Sequence, residues 1–432
     1  MTERKTKMTK EMVTEEVKNQ DVEFIRLQFT DLLGNLKNMA ITSSRLPKAL
    51  DNSFMFDGYS ISGFSAIERA DMFLYPDPAT FAIFPWRPQH GKVARLICDV
   101  HTRDGQPFSD DPRFILKKAI EKAKEKGFSL MVEPECEFFL FHTDENGLPT
   151  TLSHEQAGYL DLGPLDLGEN ARRDIVLTLE EMGFDVIASH HELAPAQHEV
   201  DFAAAEALEA ADNIMTFKMV VRTIAKRHGL HATFMPKPKT GESGSGMHLK
   251  LTLMKDGKNA FEDANDEKGL SEIGYYFIGG ILEHIRGICA LTNPIVNSYK
   301  RLLPGFDAPT SVDFEDVTVE SPLIRVPAAG GSVELRSPDS AANPYLAIAA
   351  ILTAGLEGIE KKTMPIKGHK VDVSHLPGSL NEAIDEMEKD ALVKEVLGES
   401  CAAKYIAAKK AEAAEYTKQV TAWELENYLN RY

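Results

Sequence analysis

Apolar and polar positions alternate along Val22–Phe29 and again along Leu36–Ile41, and Thr30-Asp31-Leu32-Leu33-Gly34-Asn35 between them has turn composition. Residues two apart on an extended chain share a face, so these stretches predict two strands joined by a turn. Val93–Val100 predicts a further strand, and Met8–Val17 carries a weak helical pattern. The period then changes. Asp110 or Asp111 can cap a helix with Pro112 in its first turn, a face of Phe114, Ile115, Ala119 and Ile120, and a stop at Gly127. Leu130–Phe141 reads as an apolar strand interrupted by acids, Glu169–Met182 as a second helix stopped by Gly183, and the chain from Leu380 as helical. Short strands of antiparallel character beside helices predict an α+β fold. The expected organisation is a small β-rich domain over 1–104 and a larger domain over 105–432.

Composition narrows the classes. The 432 residues allow two or three domains, and 43% hydrophobic with 26% charged residues is ordinary for a soluble globular chain. A formal net charge of −18 argues against direct nucleic-acid binding, which needs a basic surface. Cys98, Cys136, Cys289 and Cys401 form no CxxC pair, which fits a reducing cytoplasm better than a disulfide framework or a zinc site. Met1–Lys18 has no apolar core of a signal peptide, and the longest apolar run, Tyr345–Leu356, has the length of a buried helix rather than a membrane span.

The acids on the predicted strands change the picture. On Leu130–Phe141 the period places Glu133, Glu135 and Glu137 on one face and Cys136, Phe138 and Leu140 on the other. A Pro-containing turn after His190-His191-Glu192 brings Glu192 back towards Glu199. Gly244-Ser245-Gly246-Met247-His248 runs into a strand, and its glycines allow close backbone approach to a ligand; it matches neither a Walker A loop nor a dinucleotide fingerprint. Glu135, Glu137, Glu192, Glu199, Glu334 and His248 form an oxygen-rich donor set that suits Mg²⁺ or Mn²⁺ better than zinc or copper. Arg301, Arg325 and Arg336 supply forks suited to carboxylate and phosphate.

In this order, these segments resemble the prokaryotic type I glutamine synthetase family. The resemblance rests on Phe56-Asp57-Gly58-Tyr59-Ser60-Ile61, Leu74-Tyr75-Pro76-Asp77, Glu135-Cys136-Glu137-Phe138-Phe139, His191-Glu192 to Glu199, Gly244 to His248, Asn297-Ser298-Tyr299-Lys300-Arg301-Leu302, Ser321 to Pro327, and Glu334-Leu335-Arg336-Ser337-Pro338-Asp339 with Ala342-Asn343-Pro344-Tyr345-Leu346. It implies a β-grasp N-terminal domain, a catalytic domain on a curved antiparallel sheet, and a cytoplasmic dodecamer of two hexameric rings with sites between neighbouring subunits. It implies glutamate, ammonium and ATP as substrates and two or more Mg²⁺ or Mn²⁺ ions per site, with γ-glutamyl phosphate as intermediate.

By resemblance, Glu137, Glu192 and Glu199 hold one ion, and Glu135, His248 and Glu334 the other. Arg301, Arg336 and the Gly244 backbone position glutamate. Asp57 and Ser60 of a neighbouring subunit serve ammonium, Asp307 sits in the closing loop, and Lys250, Thr252 and Arg325 lie on the nucleotide side.

The chain departs from the family pattern mostly at that nucleotide side. Glu320 and Ser332 stand where arginines are usual, Ala204 where an aromatic packs on adenine, Ser243 for Asn, Asp307 for Glu, and Lys250 for His or Asn. The segment between Leu356 and Leu380 lacks the tyrosine loop adenylylated in the long form. These departures imply weakened ATP binding. They also define two alternatives: a catalytically weakened paralogue with a structural or regulatory role, and a γ-glutamyl ligase using another amine, to which Tyr59 in place of Ser lends slight support.

Overall fold

The alternation at the N-terminus folds as two strands, β1 (Val22–Thr30) and β2 (Leu36–Thr42). The Asp31 carboxylate closes the turn between them, accepting from the backbone N–H groups of Leu33 and Asn35 at 3.1 and 2.8 Å. β3 (Phe54–Asp57), β4 (Asp71–Pro76), β5 (Ala82–Ile83) and β6 (Lys92–His101) complete a six-stranded sheet of order β2-β1-β6-β4-β3, with β5 on β6. β1 and β6 run parallel at its centre. Helices α1 (Lys10–Asn19) and α2 (Leu46–Leu50) cover it, burying Val13, Val17, Leu46 and Ala49 with Ile25, Leu27 and Leu96. This computed structural model describes residues 8–61, 71–87, 90–312, 314, 321–365 and 375–432.

The second sheet is long and antiparallel. It contains β7 (Phe128–His142), β8 (Val186–His191), β9 (Gln197–Phe202), β10 (Ala205–Glu206), β11 (Leu230–Thr233), β12 (Met247–Lys255), β13 (Lys258–Asn259), β14 (Ile324–Arg325) and β15 (Val333–Leu335). Its main path is β14-β15-β12-β7-β9-β8, with β10 and β11 on β7 and β13 on β12.

Helices flank this sheet. They are α3 (Pro112–Glu125), α4 (Glu169–Glu181), α5 (Ala207–Arg227), α6 (Glu272–Thr292), α7 (Ser298–Arg301), α8 (Pro344–Lys361), α9 (Leu380–Lys389), α10 (Ala391–Leu397), α11 (Glu399–Thr417) and α12 (Ala422–Tyr428). The apolar run Tyr345–Leu356 is the buried middle of α8. The fold is α+β, with a β-grasp domain beside a curved sheet domain.

Helix α3 starts as its sequence predicts, with the Asp111 side chain accepting from Arg113 N. Its buried face differs from the expected one. Ile115, Leu116, Ala119 and Ala123 are buried, while Phe114 and Ile120 are only half-buried. Arg113 itself is buried because it serves the junction between the sheets. It donates from Nε and Nη2 to Asp212 of α5 at 3.0 and 2.9 Å, from Nη1 to Asp99 of β6 at 2.7 Å, and from Nη2 to Asp77 at 2.8 Å. The Tyr345 hydroxyl adds a 2.7 Å bond to Asp212. Three carboxylates thus share one guanidinium, a geometry an arginine fork suits and an ammonium does not.

Candidate active site

Strand β7 is the spine of the site, and pairing register places everything else. Glu137 lies opposite Glu199 and Glu135 opposite Asp201 on β9; His248 of β12 lies opposite Glu135, and Lys250 opposite Glu133. On its other side Lys250 faces Glu334 of β15. Directly opposed residues project to the same face, so all these polar groups rise from one side of the sheet. Cys136, Phe138 and Leu140 are buried on the other side, as their period predicts. The β8–β9 turn returns Glu192 to Glu199: Glu192 N donates to Gln197 O at 2.8 Å, and Ala196 takes a left-handed φ of 74°.

The donor atoms gather in two groups. Glu135, His248 and Glu334 can offer one atom each within 4.8 Å of one another, and so can His190, Glu192 and Glu199. His190, which the resemblance does not place among the ligands, therefore joins the second group. Glu137 stands beside it, turned by two donors: its Oε2 accepts from Gln197 Nε2 at 2.7 Å and from Gly246 N at 2.9 Å. Gln197 is thus a positioning residue for Glu137, and no feature of its motif announces that role.

The glycines act mainly within the protein. A Cβ on Gly246 would fall 2.7 Å from Arg301 Nη2 and 3.1 Å from both Glu137 Oε1 and His248 Nε2. A Cβ on Gly244 would fall 2.1 Å from the Pro236 carbonyl oxygen. Arginine, carboxylate and imidazole thus converge on one small space above Gly246. Arg301 is buried and anchored by the carbonyls of Ser337, Pro338 and Arg336 at 2.8, 3.3 and 3.1 Å.

The two groups differ electrostatically. Burial, then the charge of Glu137, pushes the Glu192 carboxyl up to about 8, and burial with Glu137 and Asp201 pushes Glu199 higher still. Among the described residues no Lys or Arg forms an ion pair with Glu137, Glu192 or Glu199, although the charge of Arg301 reaches Glu137; His190 lies 3.6 Å from Glu192 and 3.8 Å from Glu199. Clustered buried acids of this kind demand a cation, and a divalent ion with oxygen ligands fits them. Around Glu135 the balance is reversed. Burial would raise its carboxyl, but bonds from His248 and Lys250 outweigh that and hold it at about 2. Arg325 Nε lies 3.0 Å from Glu334 Oε2, and Arg336 Nη1 donates to Glu334 Oε1 at 3.1 Å. This group has cations of its own, although Glu334 Oε2 is buried without a hydrogen-bond partner.

A buried polar knot supports the β8–β9 turn. His191 Nδ1 donates to the Glu192 carbonyl at 2.7 Å and Nε2 to Glu155 at 2.8 Å. Burial would lower the His191 pKa, but the Glu155 contact outweighs it and raises it. Both ring nitrogens donate, so the imidazolium ties Glu192 backbone to Glu155. His198 accepts from Arg172 at 2.8 Å, and burial, then Arg172, pushes it down to about 3.

The remaining expected residues are placed as follows. Asp307 has a left-handed φ of 49° and lies 3.6 Å from Arg336 Nη2. Thr252 follows Lys250 on the same face of β12, opposite Met131 of β7. Asp57 and Ser60 are exposed on the β-grasp domain; Asp57 accepts from Tyr59 N at 3.0 Å and from Ser60 Oγ at 3.5 Å, and among the described residues no hydrogen bond or ion pair joins either to Glu137, Glu192 or Glu199. Ala204 is exposed. Glu320 lies outside the described residues, as does 366–374 of the segment before Leu380. Ser332 ends a tight β14–β15 connection in which Gly330 and Gly331 take φ of 70° and 68°.

Fold and site define a two-domain enzyme whose acidic, cation-demanding centre lies on a curved antiparallel sheet. The family model described as glutamine synthetase, catalytic domain, matches residues 109–428, and that described as glutamine synthetase, beta-Grasp domain, matches 21–103. Glutamine synthetase of Clostridium saccharobutylicum is 54% identical, over 99% of this chain and 100% of its own. That of Methanosarcina mazei is 50% identical over 100% of each chain. The solved structure described as a GmaS/ADP complex superposes with a TM-score of 0.89 at 33% identity, covering 96% of this chain and 99% of that one. This chain belongs to the glutamine synthetase family.

Proposed function

We propose that this chain is an ATP-dependent glutamate–ammonia ligase, forming glutamine through a γ-glutamyl phosphate. The observation that carries the reading is the convergence of Arg301, Glu137 and His248 above Gly246, beside Glu192 and Glu199, which form no ion pair with Lys or Arg among the described residues. Glu137, Glu192 and Glu199 would hold Mg²⁺ or Mn²⁺, which when bound offsets the negative charge of the reacting anions. Arg301 and Arg336 offer forks to the substrate carboxylate, and Gly244 admits it close to the backbone. Asp307, at a left-handed loop position next to Arg336, is placed to close over it. Lys250, Thr252 and Arg325 line the nucleotide edge, where the arginine spreads charge on a transferring phosphoryl group. The ADP named with the GmaS neighbour supports a nucleotide there.

The ammonium residues Asp57 and Ser60 make sense when they face a neighbouring subunit's carboxylates, which favours a homo-oligomer, a dodecamer of two hexameric rings by resemblance. Exposed Trp423, Leu425, Tyr428 and Leu429 around α12 offer it an apolar contact. No described helix is long and apolar enough to cross a membrane, and the free cysteines favour a cytoplasmic setting. Phosphate release from ATP that requires both glutamate and ammonium is the expected result. Turnover that ammonium does not support but another amine does would replace the reading with the second ligase, and no turnover with a folded, metal-bound protein would replace it with the weakened paralogue.

A further inference from the structure

Lys250 occupies an unusual place for a cation. Backbone pairing sets it between Glu133 of β7 and Glu334 of β15, one step along β12 from the His248–Glu135 pair. Its side chain therefore rises on the carboxylate face whichever rotamer it takes. Nζ donates to Glu133 Oε1 at 3.0 Å and pairs with Glu135 Oε1. Arg336 Nη1 donates to Glu334 Oε1, and the Arg325 guanidinium lies 3.0 Å from Oε2, which accepts no hydrogen bond. Three cations thus stand against the three carboxylates Glu133, Glu135 and Glu334. The neighbouring carboxylates Glu137, Glu192 and Glu199 form no ion pair with Lys or Arg among the described residues.

We propose that the Lys250 ammonium is the second cation of this site, so that the nucleotide-free chain holds one divalent ion, on Glu137, Glu192 and Glu199, and not a second on Glu135, His248 and Glu334. An ion entering the second group would have to strip Nζ from Glu133 and Glu135 or lie beside a like charge a few ångströms away, where repulsion is strong. A tethered ammonium does not diffuse off, so the exclusion persists at ion concentrations that fill an ordinary site. The expectation of two ions per site drawn from the resemblance is thereby revised for this chain. Lys250 stands where the family has a neutral or weakly basic side chain, and that single difference brings the charge. The proposal rests on the reading of Glu137, Glu192 and Glu199 as a cation site.

The test counts ions. Full-length protein is stripped with EDTA and dialysed, then titrated with Mn²⁺ without nucleotide, and free Mn²⁺ is read by electron paramagnetic resonance. The native chain should bind one ion in its tight class. Lys250→Asn should bind two, the second at least about tenfold tighter than any weak binding by the native chain, and Lys250→Arg should bind one. Two tight ions in the native chain overturn the proposal and leave the first site standing. One ion in both native and Lys250→Asn proteins also overturns it. No ion in the native chain overturns this proposal and the cation site together. The native count decides even if a variant misfolds.

Discussion

Glu199→Gln should make the metal-free protein more stable and nearly indifferent to divalent ions. Glu199 is 7% exposed, and burial with the charges of Glu137, Asp201 and Glu192 raises its carboxyl. Burial, then the charges of Glu137 and Asp307, raise Glu192 from 4.5 to about 8. A carboxyl raised in the folded state contributes stability at low pH, and that contribution is lost as pH rises through its folded value. The metal-free native protein should therefore lose stability between about pH 5 and 8. Keeping Glu192 ionised in its place costs on the order of 4–5 kcal/mol. A neutral amide at 199 cannot ionise, so at high pH, where the native carboxyl begins to lose its proton, it should return roughly 1–2 kcal/mol, as substitutions that relieve functional strain commonly do.

The assay is thermal melting followed by intrinsic fluorescence, with EDTA or saturating Mn²⁺, across that pH range and above. In EDTA the variant should melt a few degrees above the native protein, most clearly at high pH. The native gain from Mn²⁺ should widen as pH rises, because protons no longer compete, and reach about 2.7 kcal/mol at a hundredfold excess over Kd. The variant should show little of it. A variant that melts below the native protein in EDTA, or that keeps the full Mn²⁺ gain, refutes the claim that these carboxylates are an unfilled cation site.

Three other outcomes test separate parts of the structure. Arg113→Met should destabilise by about 3–5 kcal/mol, because it leaves Asp212 buried and Asp77 and Asp99 without their shared partner; urea melts measure it, and a loss under about 1 kcal/mol would mean that the junction does not depend on this knot. Gly246→Ala should lower kcat roughly a hundredfold, since its methyl would crowd Arg301, Glu137 and His248, while thermal stability moves by no more than about 1–3 kcal/mol; unchanged kcat would remove the convergence from the mechanism. Ser332→Arg, placed just ahead of β15, should tighten ATP binding by about 1.5–3 kcal/mol in calorimetry with Mg²⁺, and an unchanged affinity would show that phosphate contacts come from elsewhere.

Local physics made much of this molecule legible. The period of two on Leu130–Phe141 placed Glu135 and Glu137 on one face and Phe138 on the other, because a strand covered by helices must turn its apolar side to them. Asp111, Pro112 and Gly127 marked the ends of α3, because capping and a left-handed stop depend on neighbours within a few residues. The helix face was read less well: Arg113 is buried on it, since its partners come from β6, α5 and the loop at Asp77. No periodicity within α3 could announce a bond to a residue 99 positions away.

The same distinction explains the site. Its donor types were visible one motif at a time, and their colinear order pointed to the family, but the division of charge between the two groups was not visible. Lys250 reads in sequence as one departure on the nucleotide side. Only the register of β12 between β7 and β15 sets it against Glu133 and Glu334, and only the lack of a Lys or Arg beside Glu192 and Glu199 among the described residues gives that contact its meaning. A one-residue slip of β12 would have turned the ammonium to the apolar side, where burial without a partner would be prohibitive. The pairing that builds the sheet therefore also decides which carboxylates are left wanting a cation. For this chain the chemistry is set as much by strand register as by the residues in its motifs.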